Sequence, residues 1–203
     1  MIVVIDYGMG NLRSVSKALE SLGAKVHVSG DPRDVEKADK LILPGVGAFP
    51  AAMRELSARK LVEPIKQAIG GGKPYLGICL GLQLLFDDGE EGEGAAGFGI
   101  VKGRVKRFDL NSKLKIPHMG WNSITRGQKS EVRGQNCPLL AGIPDRSYVY
   151  FVHSYYGDPT DRSIVALETD YGMPFASMIW RGRLYATQFH PEKSQAIGLR
   201  LLK

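Results

Sequence analysis

Apolar residues recur along this chain in two alternating periods. Ile2-Val3-Val4-Ile5 is an unbroken apolar run of strand length. After Gly8 and Gly10 the spacing changes, and Leu12, Val15, Leu19 and Leu22 recur at helical intervals with Gly23 as the stop. The alternation continues with a strand at 25–28, a short helix opened by Asp31-Pro32, and a strand at 41–43. Helical segments are expected over 48–59 and 62–69, closed by Gly70-Gly71-Gly72. Lys73-Pro74-Tyr75-Leu76 then leads through a glycine turn into a helix at 82–86. Strands alternating with helices predict an α/β fold with a mostly parallel central sheet flanked by helices. The second half is richer in strands, at 100–108, 147–154, 163–167, 175–180 and 184–189, and a last helix carries Ile197, Leu201 and Leu202. No repeat or linker divides the pattern, so 203 residues read as one domain over 1–203.

Composition narrows the class. A hydrophobic fraction of 43% suits a packed domain and argues against wholesale disorder. No apolar run approaches the roughly 20 residues that span a bilayer, so no membrane partner is expected. The first residues lack the basic start of a signal peptide, and two cysteines in unrelated contexts speak against a disulfide framework. Both point to a reducing, cytoplasmic setting. Cys137, in Asn-Cys-Pro without flanking glycines, reads as structural. The net charge of +6 raises a nucleic-acid hypothesis, but the basic residues are spread. The group Lys102-Gly103-Arg104-Val105-Lys106-Arg107 alternates with apolar positions and reads as one wet strand face. With Lys113-Leu114-Lys115 it makes a loose cluster, for which an acidic protein partner is at least as good an explanation as nucleic acid. Residues 87–94, rich in acid and glycine, read as a mobile surface loop.

Three pieces carry candidate chemistry. Gly77-Ile78-Cys79-Leu80-Gly81 places a thiol at a glycine-bracketed turn between strand and helix, where a helix N-terminus favours the thiolate. Taken alone, Cys79 is equally readable as a small core residue. Near the C-terminus, His190-Pro191-Glu192 follows a strand, and Pro191 pushes His190 toward extended backbone. Residues two apart then share a face, so Glu192 can fix the His190 tautomer and leave its other nitrogen for Cys79. Pro44-Gly45-Val46-Gly47 ends an apolar strand in a loop able to aim amide N–H groups into a cleft. The amide of Leu80 and one from Val46 or Gly47 would form an oxyanion hole. Gly8-Met9-Gly10 suggests a dinucleotide loop, but Arg13 stands where a third glycine is needed, and the segment reads as a tight turn.

With these pieces the chain resembles the class I, triad-type glutamine amidotransferases. Within them it is most similar to glutaminase subunits of imidazole glycerol phosphate synthases. The stretches that carry the likeness are Asp6-Tyr7-Gly8-Met9-Gly10-Asn11-Leu12, the loop at Pro44 to Phe49, the elbow at Gly77 to Gln83, Pro117-His118-Met119-Gly120-Trp121-Asn122, the segment from Tyr150 to Tyr156, and Gln188 to Gln195. Leu82 stands where methionine is frequent, a swap of similar volume.

The resemblance implies glutamine as substrate, a γ-glutamyl thioester on Cys79, and no cofactor or metal. It implies a glutamine pocket at Gly45, Gln83, His153, Ser154 and Tyr155; Gln83 also lies one helical turn beyond Cys79. It implies a (β/α)8-barrel cyclase as heterodimeric partner, receiving ammonia through a tunnel for imidazole glycerol phosphate synthesis, with Asn11, Trp121, Asn122 and Tyr150 at the interface. The alternatives are a glutaminase subunit of another synthase, a free-standing cysteine hydrolase of the same fold, and a non-catalytic interaction module.

Overall fold

The structure is a computed structural model that describes all residues except 93, 110–113, 128–130 and 133–134. Glu93 of the acidic segment and Lys113 of the basic cluster lie outside the described residues.

The apolar run at the start forms β1 (Ile2–Ile5), flanked by β2 (Val26–Ser29) and β3 (Lys40–Gly45), with β4 (Tyr75–Cys79) beyond β3, all parallel. Leu184–Thr187 returns from far along the chain to pair parallel with β4. Beyond it the sheet turns antiparallel through Pro174–Arg181, Val165–Asp170 and Thr125–Arg126. The intervening segments form α1 (Leu12–Ser21), α2 (Pro32–Lys37), α3 (Phe49–Ala58) and α4 (Val62–Gly70). α5 (Leu80–Gln83) follows β4 directly, and α6 (Gln195–Leu202) closes the chain.

Both faces of β1, β3 and β4 are covered, which is why these strands are apolar without alternation, whereas β2 is an edge strand with His27 and Val28 exposed. Val3 and Ile5 pack with Leu43, Phe49, Leu56 and Ile65 on one face. Val4 packs with Val15, Leu19, Ile42 and Leu76 on the other. A separate apolar cluster, including Phe108, Val149, Phe151, Phe175 and Phe189, underlies the antiparallel half. Cys137 is buried in that cluster, and burial pushes its thiol up to about 11, against its contacts with the Leu139 and Leu140 amides and Arg126.

Three sequence expectations need correction. The helix after Cys79 stops at Gln83, where the apolar pattern predicted continuation to Phe86. Leu82, Leu84, Leu85 and Phe86 are all fully buried, whereas a surface helix leaves one side wet. The chain instead enters a strand, Phe86–Gly89, parallel to Val101–Arg107 in a smaller sheet completed by Tyr155–Pro159 and Ala95–Ala96.

The acidic segment expected to be a mobile loop is therefore partly a strand. Asp87 accepts from Lys102 Nζ (2.8 Å) and Asp88 from Arg104 Nε (2.6 Å), while Glu90 accepts from the Arg107 amide (2.9 Å). Lys106 pairs with Asp158 at 2.7 Å. Much of the basic cluster is thus answered within the chain, though exposed pairs of this kind each contribute only about 0–1 kcal/mol. Ser163 lies in a 3-10 turn, Arg162–Ile164, that precedes the strand expected to start there.

Candidate active site

In a parallel sheet, connecting loops gather at the carboxyl ends of the strands, and a crevice there is the usual ligand site. Here the register brings Gly45, at the end of β3, opposite Cys79, at the end of β4. Thr187 pairs with Ile78, so Gln188 and His190 leave the sheet beside the thiol. The 6–11 connection from β1 to α1 leaves the sheet at the same end.

Cys79 has φ 54° and ψ −105°, a non-glycine residue at positive φ outside the left-handed helical well, a conformation that costs about 1–3 kcal/mol and persists only when its surroundings enforce it. The enforcement is close backbone contact. A Cβ on Gly81 would sit 1.9 Å from the Leu43 carbonyl oxygen, and one on Gly77 would sit 2.5 Å from the Gly81 oxygen. Tyr75 Oη also donates to that Gly81 oxygen at 3.1 Å. Because α5 spans four residues, the dipole expected to favour a thiolate at Cys79 is small. Gln188 Nε2 donates toward Cys79 Sγ at 3.7 Å, and Sγ faces the Val152 carbonyl at 3.9 Å.

His190 is 1% exposed. Its Nδ1 lies 2.8 Å from Glu192 Oε1, and both side chains are almost wholly buried. His190 itself is extended (φ −99°, ψ 96°), as expected, and the 3-10 turn that follows it, Pro191–Lys193, brings the two together. Pro191 at its first position suits that turn. Burial alone would lower the His190 pKa. The Cys79 sulfur and the Glu192 carboxylate outweigh it and hold the imidazolium up to about 10. Nε2, the nitrogen not bonded to Glu192, makes no conventional hydrogen bond, so the influence of Cys79 on it is that of a nearby sulfur. The backbone is tethered as well: His190 N donates to Tyr150 O at 3.0 Å, Tyr150 N to Ser194 Oγ at 3.0 Å, and Ser194 Oγ to His190 O at 2.7 Å.

In front of the thiol is a cavity of about 280 Å³. Val46, Gly47, Cys79, Leu80, Gln83, His153, Ser154 and Tyr155 all line it, together with Glu91, Pro117 and Val152. Its size suits a small polar metabolite, at the low end of the roughly 300–1,000 Å³ of ligand pockets. A similar cavity of about 290 Å³ lies at the opposite ends of these strands, among Ile2, Leu41, Leu76, Leu201 and Leu202, with Lys40, Tyr185 and Arg183 also in its wall, but no cysteine lines it.

Gly45 is buried and does not line the active-site cavity; a Cβ there would meet Tyr7 Oη at 2.6 Å and Leu80 Cβ at 2.7 Å. Gly47 has φ +99°, and a Cβ on it would touch Met9 Cε at 2.7 Å, so the 8–11 turn packs on this loop. Gln83, which could have been a solvent-facing helix residue, is buried and donates to Tyr155 O (2.9 Å) and Gln188 Oε1 (3.3 Å). His153 is held neutral by burial, its pKa pushed down to about 3 despite the Tyr155 carbonyl that its Nδ1 meets at 2.8 Å. Among the described residues, no three His, Cys, Asp or Glu cluster as metal ligands would.

Trp121 and Asn122 lie on a strand, His118–Ser123. It pairs antiparallel with Tyr148–His153, Trp121 opposite Tyr150. Trp121 is 47% exposed and meets the Tyr150 ring edge-on at 6.1 Å, while Asn11 is half-buried at the start of α1. Met119 and Tyr148, also well exposed, extend this face. Sequence reasoning gave no role to Gln188, His118, Glu91 or these two residues. Gln188 carried a signal: a polar residue in an apolar strand run, two before His190 and so on its face.

The chain resembles known proteins along its full length. A protein of Syntrophotalea carbinolica is 51% identical over all of this chain and 98% of its own length. One of Rhodopirellula baltica is 49% identical, over 100% of this chain and 95% of its own. Each is described as imidazole glycerol phosphate synthase subunit HisH. Among solved structures, a glutamine amidotransferase superposes with TM-score 0.72 at 17% identity, covering 98% of this chain and 94% of that one. PurLQS from Thermotoga maritima gives 0.71 at 18%, with the same coverage. At such identities these two speak for the fold alone. Residues 3–199 match the class-I glutamine amidotransferase family, and with half-identical relatives along its full length the chain belongs to that family.

Proposed function

We propose that this chain is the glutaminase subunit of an imidazole glycerol phosphate synthase, releasing ammonia from glutamine for a cyclase subunit in histidine biosynthesis. The observation that carries the reading is a buried thiol on a strained elbow, with a buried His190–Glu192 pair behind it and a small polar cavity in front. The full-length likeness to HisH subunits supplies the pathway.

In this reading Cys79 Sγ attacks the side-chain carboxamide carbon of glutamine. The amides of Leu80 and of the Val46–Gly47 loop stabilise the oxyanion; Leu80 N–H, first in α5, has no intrahelical partner. His190 takes the thiol proton as Cys79 attacks and then gives it to the departing nitrogen, and ammonia leaves. Water then attacks the γ-glutamyl thioester while His190 takes its proton, and glutamate and the free thiol return. Glu192 holds the His190 tautomer and supports its charged form. Gln83, His153, Ser154 and Tyr155 form the pocket wall, with Gly45 packed beneath it.

The partner is a (β/α)8-barrel cyclase docking on the face of Trp121, Asn122 and Tyr150, with Asn11 on its margin. Met119, Trp121 and Tyr148 give that face an exposed apolar centre beside the cavity mouth at Val152. The glycine-bracketed Val46–Gly47 peptide serves as a gate that docking turns toward the oxyanion. The setting is cytoplasmic; among the described residues no helix is long and apolar enough to cross a membrane.

A glutamine analogue bearing an electrophile at the side-chain carbon tests the site. Mass spectrometry should find it on Cys79 alone, with glutamine protecting. Labelling of Cys137, or of neither cysteine, contradicts the assignment.

A further inference from the structure

The two histidines beneath the Trp121 face belong to a chain of hydrogen bonds whose direction is fixed at one end. We propose that His118 and Asn122 are positioning residues for glutamine hydrolysis, the outer links of a directed chain that sets the pocket wall at His153 and Tyr155 and reaches the Cys79 sulfur through Gln83 and Gln188. This rests on the glutaminase reading above.

A backbone carbonyl only accepts, and that fixes every other link. His153 Nδ1 faces Tyr155 O at 2.8 Å, so Nδ1 carries the hydrogen and Nε2 accepts. His118 Nδ1, 3.1 Å from that Nε2, must then donate, which leaves His118 Nε2 as the acceptor. Asn122 Nδ2 meets it at 3.3 Å and gives its second hydrogen to Asp170 O at 2.9 Å, while Asn122 Oδ1 accepts from Ser123 N at 2.7 Å. Toward the thiol, Tyr155 O also accepts from Gln83 Nε2, whose other hydrogen goes to Gln188 Oε1, and Gln188 Nε2 points at Cys79 Sγ. No donor meets a donor along the path, and no acceptor an acceptor.

The chain is buried and its rings are clamped. His118 is 2% exposed, stacked between Tyr171 (3.9 Å, 22°) and Phe151 (4.6 Å, 22°). Burial pushes its pKa down to about 4, which keeps the acceptor nitrogen free. Asn122 follows Trp121 on the outward strand, so a shift of that strand reaches the pocket wall by hydrogen bonds. The paired strand ends in His153, and its Tyr150 holds the His190 backbone. Pocket wall and His190 loop therefore hang from one strand pair.

Three variants in complex with the cyclase subunit test the proposal. His118→Phe keeps the stacking and removes both nitrogens. Asn122→Asp keeps the shape and removes the donor. His118→Asn returns a donor near the Nδ1 position. The first two should raise KM for glutamine roughly 3- to 10-fold, the span of a lost neutral hydrogen bond, with kcat less affected, native circular dichroism and native alkylation of Cys79 by iodoacetamide. His118→Asn should recover part of the loss. Nitrogen-15 NMR of the unsubstituted protein should find both histidines as Nδ1–H tautomers, and Asn122→Asp should shift both. Native KM in His118→Phe and Asn122→Asp, or Nε2–H tautomers, overturns the proposal. If the unsubstituted complex releases no glutamate, the glutaminase reading falls instead, and the NMR still decides the hydrogen-bond chain.

Discussion

Replacing Glu192 by glutamine removes a charge and almost no volume, so it isolates what the carboxylate does for His190. The bond it alters is 2.8 Å long between almost wholly buried groups. A hydrogen bond to a charged group contributes about 1.5–3 kcal/mol and a neutral one about 0.5–1.5. If the amide oxygen faces Nδ1–H, the difference is about 1–2 kcal/mol, or roughly 5- to 30-fold in kcat/KM at about 1.4 kcal/mol per decade.

The amide nitrogen then takes the place of Oε2, which is buried with no hydrogen-bond partner. An unsatisfied donor there costs about 1–3 kcal/mol of stability. If the amide turns to relieve this, its nitrogen donates to Nδ1 and forces the wrong imidazole tautomer, a change worth up to about 10⁴ in kcat for an analogous triad. The expected result is therefore a loss of at least about fivefold in glutamate release. His190 should also lose its proton at lower pH, because one of the two groups holding the proton has lost its charge. Steady-state kinetics from pH 6 to 10 reads both. A variant within twofold of native kcat/KM, with an unmoved pH profile, would refute the reasoning.

Gly81→Ala puts a methyl group 1.9 Å from the Leu43 carbonyl oxygen, so the elbow must open. Overpacking of about 1–3 kcal/mol should lower the unfolding midpoint by several degrees and abolish glutamate release; a native midpoint contradicts the close contact. His118 and His153 have pKa values lowered to about 4 and about 3, below the unfolded value of about 6.5. Lowered histidine pKa values mean that the unfolded chain binds more protons. Their stability contribution is present above about pH 6.5 and falls with pH toward 4 and 3, by up to roughly 1.4 kcal/mol per pH unit for each. Urea unfolding should show a shallower acid loss in His118→Phe, and parallel curves refute this. Trp121→Ala should weaken cyclase binding at least about tenfold, as for an exposed aromatic anchor, and leave the unfolding midpoint nearly native. Unchanged affinity and unchanged ammonia transfer remove Trp121 from the interface.

Much of the parallel half was legible because most of its strands are apolar runs followed closely by a glycine turn and its longer helices repeat at helical spacing. Cys79 was legible only together with His190-Pro191-Glu192, because its flanking glycines alone left a small core residue equally readable. The segment after it was misread because Leu84, Leu85 and Phe86 are buried on every side, which erases the periodicity that separates helix from strand. The acidic residues that follow looked like a loop because their partners, Lys102 and Arg104, lie on a neighbouring strand that local sequence does not reveal. The roles of His118 and Gln188 depend on pairing across 35 and 109 residues, a separation that local pattern cannot bridge.

The most direct test of the account is glutamate release from glutamine by this chain, alone and with the cyclase subunit and its ribotide ligand, using Cys79→Ala as the blank. The account predicts release in the mixture, little from the chain alone, and none with Cys79→Ala. Equal release by Cys79→Ala, or none in any mixture, would contradict it.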